Sequence, residues 1–137
     1  MGVKTYRGHI GIGPKTTGVA LVAKDDFSAR YDLDRIKGVF SREAHKLHGQ
    51  SYVGTILVLD NAKGGVATAW MLYEMKSRNM APAALLLNAA NPIMAQGAAL
   101  ADLALMHRFE ADITDVIKTG DRVTVDPAAG TVTVHER

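Results

Sequence analysis

The sequence has no cysteine in its 137 residues. That excludes a disulfide framework, and it excludes thiolate zinc or an iron–sulfur cluster held by this chain itself. A surplus of one charge is missing too, since 16 Lys and Arg face 14 Asp and Glu for a net +2. The basic residues are scattered among acidic ones, with no basic stripe, which argues against nucleic acid. No apolar stretch is long enough to span a bilayer, and the opening MGVKTYRGHIGIG lacks the apolar run of a signal peptide. The expectation is a cytoplasmic protein that binds neither membrane nor nucleic acid. Metal-ligand spacing is scarce as well. His45 and His48 lie three apart, but no third ligand at a recognisable spacing follows, so no metal site is assigned.

What remains is ordinary globular material, 47% apolar and 22% charged, which a disordered chain would not carry. The length suits one domain over residues 1–137, with a real core and no room for a second. Residues 3–23 are rich in Gly and Thr and read as two β-strands around the turn Gly13-Pro14-Lys15. The pattern is then lost over residues 24–51, a charged and polar stretch that reads as a long irregular loop. Such loops are uncommon inside compact domains and are usually functional or mobile.

Order returns at Thr55-Ile56-Leu57-Val58-Leu59, an apolar run suited to a strand buried on both faces. A turn, Asp60-Asn61-Ala62-Lys63-Gly64-Gly65, leads into VATAWMLYEMKSR, which reads as a helix. Its first two turns are apolar nearly all round (Val66, Ala69, Trp70, Met71, Leu72), predicting deep packing, while Glu74, Lys76 and Arg78 put the last turn in water. A second strand over 83–87 follows. Asn91-Pro92 then opens a second helix, with a good N-cap and proline at the first helical position. Period alone leaves two endings for it: one long helix, or a stop near Ala101 and a strand over 103–106. A short helix over 112–118 and a closing hairpin, RVTVD and TVTV around Pro127-Ala-Ala-Gly130, complete a mixed α/β domain.

The strand–turn–helix over residues 54–77 is the first place for chemistry. Backbone N–H groups at a helix start lack internal partners and sit at the positive end of the helix dipole. Gly64 and Gly65 would let a ligand approach those amides without a Cβ in the way, and Lys63 adds a full positive charge. A carboxylate or phosphate fits such a place. The same glycines can equally serve only the close packing of strand on helix. Thr68 is the nearest hydroxyl, although threonines in first turns commonly bond the backbone. The second place is the 24–51 stretch, where Arg42 and His45 are candidates for contact with substrate.

Three stretches carry a resemblance: GQSYVGTILVLDNAKGGVATAWML, APAALLLNAANPIMAQGAALAD and TGDRVTVDPAAGTVTV. From about Gly18 onward the chain resembles the small subunit of aconitase X-type hydro-lyases. The likeness is most specific at Lys63-Gly64, Ala81-Pro82-Ala83, Asn91-Pro92 and Gly120-Asp121. It implies the swivelling β/β/α fold of aconitase's mobile domain, and a strand rather than continued helix over 103–106. It also implies a larger partner subunit that carries the iron or iron–sulfur centre, with a small hydroxy acid or hydroxy amino acid dehydrated between the two. This chain would then bind no cofactor itself. Archaeal members that dehydrate a phosphorylated mevalonate carry serine directly after Lys-Gly, as the proton acceptor; here that position is Gly65, which has no such atom. The DNAKGGVATAW version looks like the branch associated with cis-3-hydroxy-L-proline dehydratase, with Thr68 or the large subunit left to supply the base. In this family a histidine often precedes Gly-Gln-Ser, where His45 falls.

Dehydration of that kind needs a base for the proton beside the carboxylate and an acid for the departing hydroxide. Two rivals share the fold. A phosphohistidine-carrying domain would place a histidine in the glycine turn, and none is present there. A non-catalytic binding or regulatory module would keep the fold alone, and Gly65 gives that reading some footing.

Overall fold

The computed structural model describes residues 3–28, 32–63 and 66–135. In chain order the elements are β1 (Val3–Arg7), β2 (Thr16–Val22), β3 (Leu33–Asp34), β4 (Val39–Phe40), β5 (Ile56–Asn61), α1 (Val66–Ser77), β6 (Ala84–Ala89), α2 (Pro92–Ala101), β7 (Ala104–His107), α3 (Ile113–Val116), β8 (Arg122–Asp126) and β9 (Thr131–His135). Seven strands form one sheet in the order β1-β9-β8-β2-β5-β6-β7, and β3 pairs with β4 separately.

The parallel half, β2-β5-β6-β7, is built from the apolar runs. Ile56, Leu57, Val58 and Leu59 of β5 and Leu85, Leu86 and Leu87 of β6 are fully buried, because this part of the sheet is covered on both faces. Alternate residues serve different cores. Leu57, Leu59, Leu85, Leu87 and Leu105 pack with Leu72 and Met75 of α1 and with Met94 and Ala98 of α2. Ile56, Val58, Leu86 and Met106 face the other way, against Ile113 and Ile117 and the valines Val123, Val125 and Val132 of the closing hairpin. The chain after α2 does form a strand. Asn91 Oδ1 accepts from the Met94 amide at 2.8 Å to start α2, and Asp102 ends it in the left-handed region at φ 52. β7 then pairs with β6 from Ala84↔Ala104 to Leu87↔His107.

Strands β1 and β2 both exist, but they do not form a hairpin around Gly13-Pro14. β1 pairs with β9, and β2 lies between β8 and β5. The segment between them runs to the far edge of the sheet, where the Ile12 amide donates to Leu105 O at 3.0 Å and the Leu105 amide to Ile12 O at 2.9 Å. That strip joins the two sheet edges and closes the strands toward a barrel around the valine-rich core. Gly11 is required there, since a Cβ would collide with the Leu105 carbonyl.

The described part of residues 24–51 (24–28 and 32–51) is largely irregular, as expected, apart from the two-residue strands β3 and β4, but it is packed rather than loose. It wraps the end of β5 and sends Phe27, Leu33, Phe40 and Leu47 into the core beside Tyr52. Such burial is what an ordered insert needs to offset the entropy of fixing its backbone. The expected deep burial of α1 also needs correcting. Leu72 and Met75 are buried, whereas Trp70 is 66% exposed and Tyr73 50% exposed. Gly97 of α2 sits so close to α1 that a Cβ would lie 2.6 Å from Ala69 Cα; the helices pack backbone to backbone, and the bulky side chains beside the contact turn outward.

Candidate functional site

Parallel strands point their carboxyl ends at one edge of the sheet, and in open α/β sheets that edge is where ligands bind. Here it presents Asp60 and Asn61 from β5, Asn88 and Ala89 from β6, and His107 from β7, with the starts of α1 and α2 beside them. Lys63 leaves β5 at this edge. Its amide donates to Phe27 O at 2.8 Å, and the Phe27 amide donates to Asn61 O at 2.9 Å, so residues 25–27 of the insert run alongside the strand and hold its exit. The Lys63 side chain is 67% exposed, with Nζ 3.1 Å from Asp26 Oδ2. The next two residues, Gly64 and Gly65, lie outside the described residues. So does the side chain of Thr68, whose backbone belongs to the first turn of α1.

Arg42 and His45 share Asp25 and Asp32 as neighbours, and His45 reaches the residue that pairs with Lys63, Asp26, through its backbone carbonyl. Arg42 Nε donates to Asp32 Oδ1, and its other end lies 4.0 Å from Asp25. The Asp32 hydrogen bond raises the guanidinium's pKa further above its ordinary value, despite some opposing loss of hydration. Arg42 remains partly exposed and able to meet an anion. His45 is different, being 3% exposed and stacked on Phe40 at 4.5 Å. The Leu47 amide donates to His45 Nδ1 at 3.1 Å, so the proton resides on Nε2, which donates to Asp26 O at 2.8 Å. Both ring nitrogens are thus engaged within the chain. His45 holds the Asp26 carbonyl, and the Asp26 carboxylate holds Lys63.

Sequence reasoning missed the groups that knit this edge together. Asp25, Asp26 and Asp32 lie in the charged and polar stretch without any spacing that singles them out; the one local signal is the adjacent Asp25-Asp26 pair. Asn88 gave none, yet it is fully used. Its Nδ2 donates to Asp60 Oδ1 at 2.9 Å and to Asp112 Oδ1 at 2.8 Å, and its Oδ1 accepts from the Ile113 amide at 2.9 Å. The Thr114 hydroxyl and Asn88 hold the Asp112 carboxyl down at about 2, against a smaller opposing effect of burial. On the other side His107 is pushed below its ordinary value by burial, by His9 and by Arg108. Among the described residues no group of three or more His, Asp or Glu could hold a metal ion, and no helix is long and apolar enough to cross a membrane.

A family model described as the aconitase X swivel domain matches residues 5–134. The phosphomevalonate dehydratase small subunit of Methanocella arvoryzae is 35% identical over 92% of this chain and 96% of its own length. That of Methanothrix thermoacetophila is 38% identical over 80% of this chain and 79% of its own. Among solved structures, Thermococcus kodakaraensis aconitase X in its holo-form superposes with a TM-score of 0.90 at 28% identity, covering 97% of this chain and 99% of that one. A UPF0107 protein solved by NMR in solution gives 0.86 at 29% identity, over 97% of this chain and all of its own. The swivelling β/β/α architecture expected from the sequence is therefore the one this chain adopts.

Proposed function

The chain belongs to the aconitase X swivel-domain family, and from that premise we propose that it is the small subunit of a hydro-lyase that dehydrates cis-3-hydroxy-L-proline at a site shared with a larger chain. The observation that carries this reading is the edge where β5 delivers Lys63 to the start of α1, in a Lys-Gly-Gly turn with glycine where the mevalonate-type members have serine. Lys63 and the first amides of α1 hold the substrate carboxylate, with Gly64 and Gly65 leaving room for it. Arg42 approaches from the insert as a second cation. As the proton leaves the carbon beside the carboxylate, negative charge builds on the carboxylate oxygens, and fixed positive groups stabilise it there. His45 acts one step back, as a positioning residue for Asp26 and Lys63. Thr68, the only hydroxyl in residues 60–72, stands one turn along from the missing serine and supplies the hydroxyl on this side of the site.

The iron or iron–sulfur centre implied by the resemblance does not fit this chain's donors. The chain has no cysteine, and no suitable cluster of His, Asp or Glu occurs among the described residues. The centre belongs on the larger chain, and none of the roles above runs through it.

A second reading has its own support, because the relatives just described are named phosphomevalonate dehydratase small subunits. Lys63 with a helix N-terminus suits a phosphate as well as a carboxylate. The test is reconstitution with a large aconitase X-type chain from the same source, followed by turnover assays on cis-3-hydroxy-L-proline and on phosphorylated mevalonate. Water loss from the hydroxyproline supports the first reading, and loss only from the phosphorylated substrate replaces it with the second. A stable complex that dehydrates neither would make this a regulatory module.

A further inference from the structure

The outer face formed by α1 and α2 is hard to account for in a chain standing alone. Trp70 is 66% exposed, Tyr73 50% and Leu100 62%. Together with Ala69, Ile93 and Gln96 they line a groove of about 190 Å³ between the helices. Its floor is where Gly97 meets Ala69, which keeps the helices close and leaves the large side chains as walls. The stretch VATAWMLY of α1 and all of α2, PIMAQGAALA, contain no charged residue. A solvated helix face normally carries charge, whereas loss of charge with Trp and Tyr retained marks the centre of a protein–protein interface.

The size of the patch bears on what covers it. The groove falls below the roughly 300 Å³ of the smallest usual small-molecule sites. The exposed parts of the three large side chains amount to roughly 400 Å². A standard interface needs about 800 Å² from each partner, so two copies meeting through this patch alone would reach only half of that. The patch also adjoins the proposed site. Trp70 lies four residues beyond the first residue of α1, about 6 Å along its axis, and Ile93 is the second residue of α2. A partner that closes over the start of α1 therefore meets Trp70 and Ile93 as well, and the groove adds its area to whatever that partner covers at the edge.

We propose that the Trp70–Tyr73–Leu100 groove is the docking face for the larger subunit, which inserts uncharged, apolar side chains into it while covering the Lys63 edge. This rests on the small-subunit reading above. Trp70 is the only tryptophan in the chain, so it offers a direct probe. The small chain is labelled with 5-fluorotryptophan and titrated with the unlabelled larger chain, and the single fluorine resonance is compared in H₂O and D₂O. The expected result is a shifted resonance that loses its solvent isotope effect on complex formation. Trp70→Glu and Leu100→Glu should each weaken association at least about tenfold while leaving the free chain's melting unchanged, since both side chains are exposed. A complex in which Trp70 keeps its solvent isotope effect, and in which both variants bind like the parent, would overturn the proposal while sparing the small-subunit reading. Protection of Trp70 by self-association without the larger chain would assign the face to a second copy instead. Failure of the parent chain to bind any larger chain would remove the small-subunit reading and this proposal together.

Discussion

Tyr52→Phe should stabilise the protein. Tyr52 is completely buried at the inner end of the insert, with its ring edge-on to Phe40 at 5.9 Å. Its hydroxyl has no hydrogen-bond partner. Burial pushes its pKa up to about 12, with a smaller lowering by Arg35 and a smaller further raising by Asp34. A hydroxyl taken out of water without a partner costs about 1–3 kcal/mol. Removing the oxygen relieves that cost, keeps the ring contacts, and leaves a void smaller than a methyl group, worth up to about 1 kcal/mol in the other direction. The net gain is about 1 kcal/mol, or about 3–5 °C in Tm for a chain of this size. The pH dependence adds a second signature. The folded pKa lies above the unfolded value near 10, so over the window from about 10 to 12 the unfolded state loses a proton that the folded state keeps. Stability of the parent should therefore fall across that window, and the variant should lack that component. Urea unfolding at neutral and alkaline pH, followed by circular dichroism, measures both effects. A Tyr52→Phe variant less stable by 1 kcal/mol or more, with an unchanged m-value, would mean that the hydroxyl is bonded and the reasoning is wrong.

Gly97→Ala sets helix propensity against packing: alanine favours an isolated helix by about 1 kcal/mol, but its methyl would lie 2.6 Å from Ala69 Cα. Thermal unfolding should therefore show a loss of about 1–3 kcal/mol, and a gain would refute the close approach of α1 and α2. Asn88→Ala strips donors from Asp60 and Asp112 and an acceptor from the Ile113 amide, so denaturant unfolding should show a loss of about 2–3 kcal/mol. Asp112 has a folded pKa lowered to about 2, so its contribution is present above pH 4 and is lost as pH falls from about 4 toward 2. Asp112→Asn should flatten the acid limb of the stability profile over that window.

The centre of the fold was legible because its signals are local. Continuous apolar runs at 55–59 and 83–87 suit strands covered on both faces, and Asn91-Pro92 marks a helix start by its own chemistry. What could not be read depends on long-range pairing. The barrel closure rests on Ile12 meeting Leu105, a pairing that no periodicity announces. The insert places Phe27, Leu33, Phe40 and Leu47 among charged residues at irregular spacing, so its share of the core has no pattern. For α1, apolar residues on every side suggested burial all round; the side facing water instead carries Trp70 and Tyr73. At the site, the sequence pointed to Lys63, Arg42 and His45 separately. The aspartates beside them, Asp26 for Lys63, Asp25 and Asp32 for Arg42, with His45 touching all three, come together only once the insert folds back along β5.

The most direct test of the edge as one wall of a shared active site is turnover of the reconstituted two-chain enzyme carrying Gly65→Leu. A bulky side chain at that turn should lower kcat/KM at least about a hundredfold in the variant that still assembles with the larger chain. Unchanged kcat/KM with normal assembly would contradict the site at the start of α1.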